Sequence, residues 1–257
     1  MAKIIAVANQ KGGVGKTTTS VNLAAALATH EQRVLLVDLD PQGNATMGSG
    51  VDKNRLEKGS SYEVLMGEAH LSDCAIPLAE AGYSLLPANG NLTAAEVELI
   101  DVKMREHRLR LALAQVKDKY DFALIDCPPS LSMLTVNALA AAHGVLIPIQ
   151  CEYYALEGLT ALLNTIDKVR AKLNPGLRVA GLLRTMFDPR NNLANEVSTQ
   201  LLTHFRDQVY TTVIPRNVRL AEAPSHGQSV LLYDRASRGA LAYLALASEL
   251  VRREARC

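Results

Sequence analysis

The residues best suited to chemistry in this chain form a glycine-rich loop near its start. The run Gln10–Thr18 reads QKGGVGKTT and directly follows the apolar stretch Ile4–Ala8. A strand, a glycine loop and then a helix surround a phosphate with backbone N–H groups and the positive end of a helix dipole. In this arrangement Lys16 is expected to reach the β- and γ-phosphates of a nucleotide, and the Thr17 hydroxyl is expected to bind Mg²⁺.

The loop departs from the common phosphate-binding pattern at two positions. Gln10 stands where glycine is usual, and Lys11 adds a second lysine before the first glycine pair. A cation beside a triphosphate interacts strongly with it. We therefore predict that Lys11 also acts on the bound phosphates, rather than serving only as a solvated loop residue.

Acidic residues follow two further apolar runs at the point where each run ends. Asp38 and Asp40 follow Val34–Val37, and Asp126 follows Phe122–Ile125. Ligands of open α/β sheets bind beyond the carboxyl ends of the strands, which is where these carboxylates would lie. We expect Asp126 to hold Mg²⁺ directly or through water. Asp40 is expected to orient or deprotonate the attacking water, and Asp38 is expected to contact the metal through water or to interact with Lys16.

Apolar runs of strand length alternate with segments of helix length along most of the chain. This alternation predicts right-handed crossovers and an α/β fold, a three-layer sandwich whose mostly parallel twisted sheet has helices on both faces. No linker divides the sequence, so residues 1–257 are expected to form a single domain; Asp52–Gly82 is its least regular part. The predicted strands are Ile4–Ala8, Val34–Val37, Tyr83–Leu86, Phe122–Ile125, Val145–Ile149, Val179–Leu183 and Val209–Ile214, and the predicted helices include Thr17–Thr29, Ser130–Ala142, Leu156–Leu173, Leu193–Phe205 and Gly239–Arg253.

The small net charge of +1 hides an uneven distribution along the chain. Residues 1–167 contain 13 Lys and Arg against 19 Asp and Glu, a net charge of −6, whereas residues 168–257 contain 14 against 7, a net charge of +7. Of those 14 basic residues, 12 are arginines. Either these arginines are solvated helix residues, or this part of the chain meets an anionic partner.

The cysteines and the apolar segments indicate an intracellular protein without a membrane anchor. Cys74, Cys127, Cys151 and Cys257 form no closely spaced pair, so reduced cytosolic thiols are expected. The uncharged stretch Cys127–Cys151 contains prolines and polar residues, which favours a buried helix and strand over a membrane span. A leader peptide is not expected, because the glycine loop begins so early.

Several motifs resemble those of one family of ATPases. The run Lys11–Thr18 is similar to the deviant Walker A motif of the ParA/MinD ATPases, with Lys11 as their signature lysine. The stretches Leu36–Thr46, Cys151–Gly158 and Ile214–Gly227 resemble the ParA/Soj partitioning branch more specifically. The resemblance extends from Lys3 to about Leu250, nearly the whole chain.

The resemblance implies a nucleotide-dependent mechanism and a set of nucleotide contacts. Members of the family bind ATP with Mg²⁺, form a sandwich dimer and hydrolyse ATP slowly to ADP, with the signature lysine reaching the phosphates of the partner chain. A lysine supplied in this way would neutralise charge in the transition state. The implied catalytic residues are Lys11, Lys16 and Asp40, and the implied nucleotide contacts are Lys11, Gly12, Gly13, Val14, Gly15, Lys16, Thr17 and Thr18, with Met186, Pro215 and Asn217 near the adenine.

The resemblance also gives the basic part of the chain a purpose. The ATP-bound dimer of this family binds double-stranded DNA without sequence preference, and a ParB-like centromere-binding protein stimulates hydrolysis and releases it. The implied location is the cytoplasm, in association with the nucleoid, and no membrane contact is expected. Arg190 and Arg219 match family positions linked to DNA binding, and their expected neighbours are Arg206, Arg216, Arg235 and Arg238.

Three other functions use the same type of loop. A MinD-like ATPase of the cell-division site would need a basic amphipathic helix that binds lipid, and the residues after Leu250 are short and polar. An iron–sulfur carrier would need paired cysteines. A cobyrinate or dethiobiotin ligase would need a pocket for a carboxylate substrate, which no motif in the sequence indicates.

Overall fold

The strands and helices alternate along the chain, as the apolar runs predict. The computed structural model describes residues 2–255. Its strands are β1 (Lys3–Val7), β2 (Val34–Asp38), β3 (Ile76–Leu78), β4 (Tyr83–Leu86), β5 (Phe122–Asp126), β6 (Gly144–Gln150), β7 (Arg178–Phe187) and β8 (Val209–Pro215). Its helices are α1 (Lys16–Thr29), α2 (Asn44–Gly48), α3 (Ser61–Met66), α4 (Leu71–Cys74), α5 (Leu92–Glu98), α6 (Arg108–Ala114), α7 (Met133–Ala141), α8 (Ala155–Lys172), α9 (Asn192–Phe205), α10 (Val218–Glu222), α11 (Val230–Tyr233) and α12 (Arg238–Glu254).

The eight strands form one sheet in the order β3-β4-β2-β5-β1-β6-β7-β8. All neighbouring strands are parallel except β3, which runs antiparallel to β4 at the edge. Successive residues of a strand point to opposite faces, so Leu36 packs with α1 and α12 on one face whereas Leu35 and Val37 pack with α7 and α8 on the other. The predicted three-layer architecture is confirmed.

The structure extends the prediction in the places that matter for the site. Strands β2 and β5 each continue by one residue, so that Asp38 and Asp126 are the last residues of adjacent strands and stand opposite each other in register. The predicted helix over Ser130–Ala142 begins at Met133 because the residues after Pro128-Pro129 form a bend. The irregular segment Asp52–Gly82 contains α3, α4 and the short strand β3.

No helix within residues 2–255 is long and apolar enough to cross a membrane. Cys74, Cys127 and Cys151 are free and buried, in agreement with reduced thiols, and Cys257 lies outside the described residues. Burial raises the pKa of the Cys127 and Cys151 thiols, so both behave as apolar core residues.

Candidate nucleotide-binding site

The glycine loop lies between the end of β1 and the start of α1 and is open toward a cavity. Gly13 and Gly15 have φ angles of 73° and 87°, in the left-handed region that favours glycine. Gly15 is the N-cap of α1, and no side chain accepts a hydrogen bond from the first turn of that helix. The free N–H groups and the dipole of this 14-residue helix therefore favour an anion at this position.

Hydrogen bonds from distant residues hold the loop in place. The Asn9 side chain donates to the Pro148 carbonyl at 2.7 Å and accepts from the Lys11 amide at 3.0 Å. The Thr185 hydroxyl donates to the Val14 carbonyl at 2.8 Å. These contacts connect the loop to β6 and β7, which pre-organises it before a ligand binds.

Lys16 projects into this loop and is almost fully buried. Its Nζ donates to the Lys11 carbonyl at 3.1 Å. Burial lowers the pKa of Lys16, and the neighbouring carboxyl groups of Asp126 and Asp40 act to raise that pKa. A buried ammonium held by one carbonyl is well placed to bind a phosphate, which would supply further hydrogen bonds and an opposite charge.

Asp126 is fully buried and contacts the first turn of α1. Thr17 Oγ1 donates to Asp126 Oδ2 at 2.8 Å, and Ser20 Oγ donates to Asp126 Oδ1, also at 2.8 Å. Burial, reinforced by the charge of Asp38, raises the pKa of Asp126 to about 8. A buried carboxylate and a hydroxyl at this distance are hard oxygen donors, and this donor set fits Mg²⁺.

Asp38 fixes the segment that carries Asp40. Asp38 Oδ2 accepts hydrogen bonds from the amide and the hydroxyl of Thr46, at 2.8 and 2.7 Å, and Oδ1 accepts from the Asp40 amide at 3.1 Å. The Thr46 hydroxyl in turn accepts from the Ala88 amide at 2.8 Å. Burial raises the pKa of Asp38 to about 6, although the hydrogen bonds from Thr46 act to lower it. The Asp38 carboxylate thus holds the backbone around Asp40 in position through hydrogen bonds.

We expect the Thr46→Val substitution to lower the free energy of unfolding by about 2 kcal/mol. Valine matches the shape of threonine, but it leaves the buried Ala88 amide without an acceptor and removes one hydrogen bond from the Asp38 carboxylate. Urea unfolding followed by circular dichroism measures the change. The matched control is Thr160→Val, because the exposed Thr160 hydroxyl bonds only to its own helix. A loss no larger than that of the control would contradict the role assigned to Thr46.

Asp40 faces the cavity from a tight turn. Its carboxylate is mostly buried, and Oδ1 accepts a hydrogen bond from the Gln42 amide at 2.9 Å. Gly43 closes the turn with a φ of 61°, and a Cβ at this position would lie 2.8 Å from the Ala88 carbonyl oxygen. Only glycine fits here, and the turn therefore gives the Asp40 side chain a fixed direction.

The cavity has a volume of about 620 Å³ and brings together most of the residues that the sequence predicts for the nucleotide. Val14 and Lys11 do not line it: Val14 is buried behind the loop, and the Lys11 ammonium pairs with Glu152 at 2.6 Å. The predicted residues that line the cavity are Gly12, Gly13, Gly15, Lys16, Thr17, Thr18, Asp40, Met186, Pro215 and Asn217.

Sequence reasoning missed several residues of this cavity. Thr185, Ile214 and Tyr243 line it beside Met186, and Ser20 contacts Asp126 from α1. The position of Ser20 could have been inferred, since it lies one helical turn after Lys16 and Thr17 and shares their face. The other residues come from strands and a helix far along the chain, and no local pattern marks them.

The predicted adenine contacts have particular backbone conformations. Met186 has a φ of 48°, which is unusual for a residue other than glycine. Asn217 is the N-cap of α10, and its Oδ1 accepts a hydrogen bond from the Arg219 amide at 2.9 Å. Strand β7 includes Met186 because it continues to Phe187, four residues beyond the predicted end.

The six arginines predicted for DNA binding are all exposed, but they do not form one group. Arg190, Arg216 and Arg238 line a single groove of about 800 Å³, which adjoins the nucleotide cavity through Pro215. Arg219 lies on α10, directly after the Pro215–Asn217 segment, and Arg235 precedes α12. Arg206 lies before β8, at the opposite end of that strand from Pro215.

Within residues 2–255, no group of three or more histidine, cysteine, aspartate or glutamate side chains is placed to hold a metal ion. A Mg²⁺ site of the kind described above needs fewer protein ligands, since magnesium keeps several waters and binds substrate phosphates.

Comparisons with known proteins agree with the sequence motifs. A protein family described as an AAA domain matches residues 2–179. The sporulation initiation inhibitor protein Soj of Bacillus subtilis is 54% identical over 97% of this chain and 98% of its own length. The chromosome partitioning protein ParA of Myxococcus xanthus is 51% identical over 99% of this chain and 89% of its own length. This chain belongs to the ParA/Soj family of chromosome-partitioning ATPases.

Solved structures share this fold, and one of them contains a bound nucleotide and magnesium. A Mycobacterium smegmatis protein described as cobyrinic acid a,c-diamide synthase, with bound ADP and magnesium, is 40% identical and has a TM-score of 0.87 over 99% of this chain and 96% of its own. The cell division ATPase MinD of Pyrococcus furiosus is 26% identical, with a TM-score of 0.80 over 98% and 99% of the two chains. The expected ATPase activity is thus confirmed at the level of the family, and so are the expected cofactors, ATP or ADP with Mg²⁺.

Proposed function

We propose that this ParA/Soj-family protein is an ATP-dependent dimeric switch that binds double-stranded DNA without sequence preference. ATP hydrolysis, stimulated by a ParB-like partner, returns it to a form that leaves DNA. The observation that carries this proposal is the continuity of one short segment. Pro215, Arg216 and Asn217 line the nucleotide cavity, and Arg216 and Arg219 belong to the predicted DNA surface.

This segment offers a direct mechanical link between the two sites. Pro215 ends β8, and Asn217 caps α10 through the Arg219 amide. A base seated against Pro215 and Asn217 would fix the start of α10 and with it the position of Arg219. Arg216 also lines the groove that contains Arg190 and Arg238. Fixing this segment would therefore affect the positions of most arginines of the basic surface.

The residues of the nucleotide cavity suit hydrolysis of ATP. Lys16 and the start of α1 would hold the phosphates, while Asp40 would orient or accept a proton from the attacking water. Thr17 and Asp126 would hold Mg²⁺, with Asp38 supporting the adjoining turn. When bound, Mg²⁺ neutralises charge on the phosphates.

The surface next to the phosphate loop supports the proposed dimer. Lys11 and Glu152 form an exposed ion pair there, and Tyr153 and Tyr154 are 75% and 66% exposed. Leu131, at the end of the loop after β5, is also exposed. Large apolar side chains in such numbers around a charged cavity are typical of an interface. In the dimer Lys11 would leave Glu152 and reach the phosphates of the partner chain.

The proposed partners and location follow from the family and from the arginine surface. Contacts from arginine to phosphate carry no sequence information, so a basic surface without a base-reading element suits nonspecific DNA. The relatives named ParA and Soj are described as chromosome-partitioning proteins. We accordingly place this protein in the cytoplasm, associated with the nucleoid, with a ParB-like protein as the activator of hydrolysis.

Two related functions fit the structure less well. A MinD-like protein would bind a membrane through an amphipathic helix, and α12 cannot serve in this way because it buries its apolar residues Leu246 and Leu250 against the sheet and α1. An amide ligase of the cobyrinate type would hydrolyse little ATP without its carboxylate substrate. The test is an ATP hydrolysis assay. Steady hydrolysis by the protein alone, raised by DNA and a ParB-like protein but not by lipid vesicles, would favour the partitioning function over both.

We expect Arg219→Glu to weaken DNA binding by about tenfold near 0.1 M salt, because one phosphate contact is lost and a repulsive charge is introduced. Dissociation constants for a labelled duplex, measured with ATP, ADP and no nucleotide over a salt series, test both the switch and the residue. Wild-type protein should bind tightly only with ATP, with strong salt dependence.

The matched control for this charge reversal is Arg110→Glu. Arg110 is exposed and lies at the opposite end of the sheet, beside Ala2 and Ile4. The Arg110→Glu variant should bind DNA within about twofold of the wild type, since Arg110 lies at the opposite end of the sheet from Arg219 and charge effects are screened over distance. If Arg219→Glu and Arg110→Glu had equal effects on DNA binding, the assignment of Arg219 to the DNA surface would be wrong.

A further inference from the structure

The two arginines that the family resemblance links most directly to DNA, Arg190 and Arg219, both form ion pairs with carboxylates. Arg219 donates from Nη1 to Glu222 at 2.8 Å, and its Nε lies 3.2 Å from Asp234. Arg190 is held by both oxygens of Asp188, at 2.9 Å from Nε and 2.8 Å from Nη2.

These carboxylates are held in position by contacts of their own. Tyr233 donates a hydrogen bond to Glu222 at 3.3 Å, and the Tyr233 ring stacks on His226 with 4.9 Å between the ring centroids. Asp188 also accepts a hydrogen bond from the Arg190 amide at 3.0 Å. Arg190 lowers the pKa of Asp188 to about 2, so this carboxylate is ionised at neutral pH.

The paired arginines remain within reach of DNA. Their side chains are 51% exposed at Arg219 and 87% exposed at Arg190. A guanidinium presents the same pair of N–H groups to a carboxylate and to a phosphate, so a DNA phosphate must displace the carboxylate to make its best contact. Among residues 2–255, Arg216, Arg235 and Arg238 take part in no such ion pair, although the charge of Arg216 also acts to lower the pKa of Asp188.

We propose that Asp188, Glu222 and Asp234 compete with DNA phosphates for Arg190 and Arg219, and so keep the affinity of a single chain for DNA low. This inference rests on the proposed function. Two chains joined by nucleotide present two such surfaces to one duplex, and the second contact is then made at a high effective concentration. The carboxylates thereby make tight DNA binding depend on the dimer.

The test is DNA binding without nucleotide by the double variant Glu222→Gln/Asp234→Asn. Both amides preserve the shape of the side chain and can still accept a hydrogen bond. We expect this variant to bind a labelled duplex about fivefold more tightly than the wild type, which corresponds to the upper range for an exposed ion pair. Asp188→Asn should give a similar gain through Arg190.

Two controls separate displacement of an ion pair from a general change of charge. Glu196→Gln removes one negative charge from an exposed residue of α9 that takes part in no ion pair within the described residues, and it should change the affinity by less than about twofold. In an Arg219→Ala background, Glu222→Gln/Asp234→Asn should give no gain, because the arginine through which these residues act is gone.

The outcomes distinguish this inference from the proposed function. Three results would overturn the proposed competition: an equal gain in the Arg219→Ala background, an equal gain from Glu196→Gln, or no gain from Glu222→Gln/Asp234→Asn. In each of these cases, ATP-dependent DNA binding by the wild-type protein would still support the proposed function. Absence of DNA binding by wild-type protein in every nucleotide state would overturn both.

Discussion

Replacing Lys16 with alanine is expected to weaken ATP binding by at least about 100-fold, because the triphosphate loses charge-assisted hydrogen bonds inside a buried loop. The loss should be large for a second reason. Lys16 lies close to Asp126 and Asp40, so its removal leaves these carboxylates to repel the phosphates with no cation of the protein between them. Titration calorimetry with ATP and Mg²⁺ measures the effect.

The control for this substitution is Lys103→Ala, which removes an exposed lysine from the surface. It should leave the affinity for ATP unchanged within error. Circular dichroism and urea unfolding establish that the Lys16→Ala variant is folded. A folded variant that bound ATP within about threefold of the wild type would contradict the assignment of the loop.

Replacing Asp40 with alanine is expected to reduce ATP hydrolysis by about 100-fold or more, with ATP affinity within about threefold of the wild type. The reason is that Asp40 faces the cavity from a turn held by its own Oδ1 and by Gly43, and no role in holding the nucleotide is assigned to it. The loss should appear in the turnover number of a phosphate-release assay.

Two substitutions of Asp40 distinguish the chemistry from the geometry. Asp40→Asn keeps an oxygen that can accept from the Gln42 amide, and so preserves the turn, but it cannot accept a proton. Asp40→Ala loses both functions. If Asp40 acts as a base, both variants should be inactive; if it only orients water, Asp40→Asn should retain most of the rate. Normal turnover in Asp40→Ala would exclude either role.

The sheet and the phosphate loop could be predicted because their signals are local. Strands buried on both faces appear as short apolar runs, and a left-handed backbone in the loop requires glycine at Gly13 and Gly15. Asp38, Asp40 and Asp126 could be placed on one edge because parallel strands share a direction. The short edge strand Ile76–Leu78 left no such signal, since it has only three residues, is at most half-buried and contains Pro77.

The supporting contacts of the site could not be predicted because they join distant parts of the chain. Thr185 bonds to Val14 across 171 residues, and Thr46 bonds to Ala88 across 42. The carboxylate partners of Arg219 lie close in sequence, yet their pairing depends on how Glu222 and Asp234 are oriented by α10 and α11. Sequence spacing indicates which carboxylates could pair with an arginine, but it does not determine which of them do.

The proposed function requires that bound ATP join two chains and thereby activate the arginine surface. Sedimentation velocity of the Asp40→Ala variant with a labelled duplex, with and without ATP and Mg²⁺, tests it most directly. We predict a dimer that sediments with the duplex only when ATP and Mg²⁺ are present, and a free monomer otherwise. A monomer in the presence of ATP and Mg²⁺, or equal binding of the duplex without them, would contradict the account.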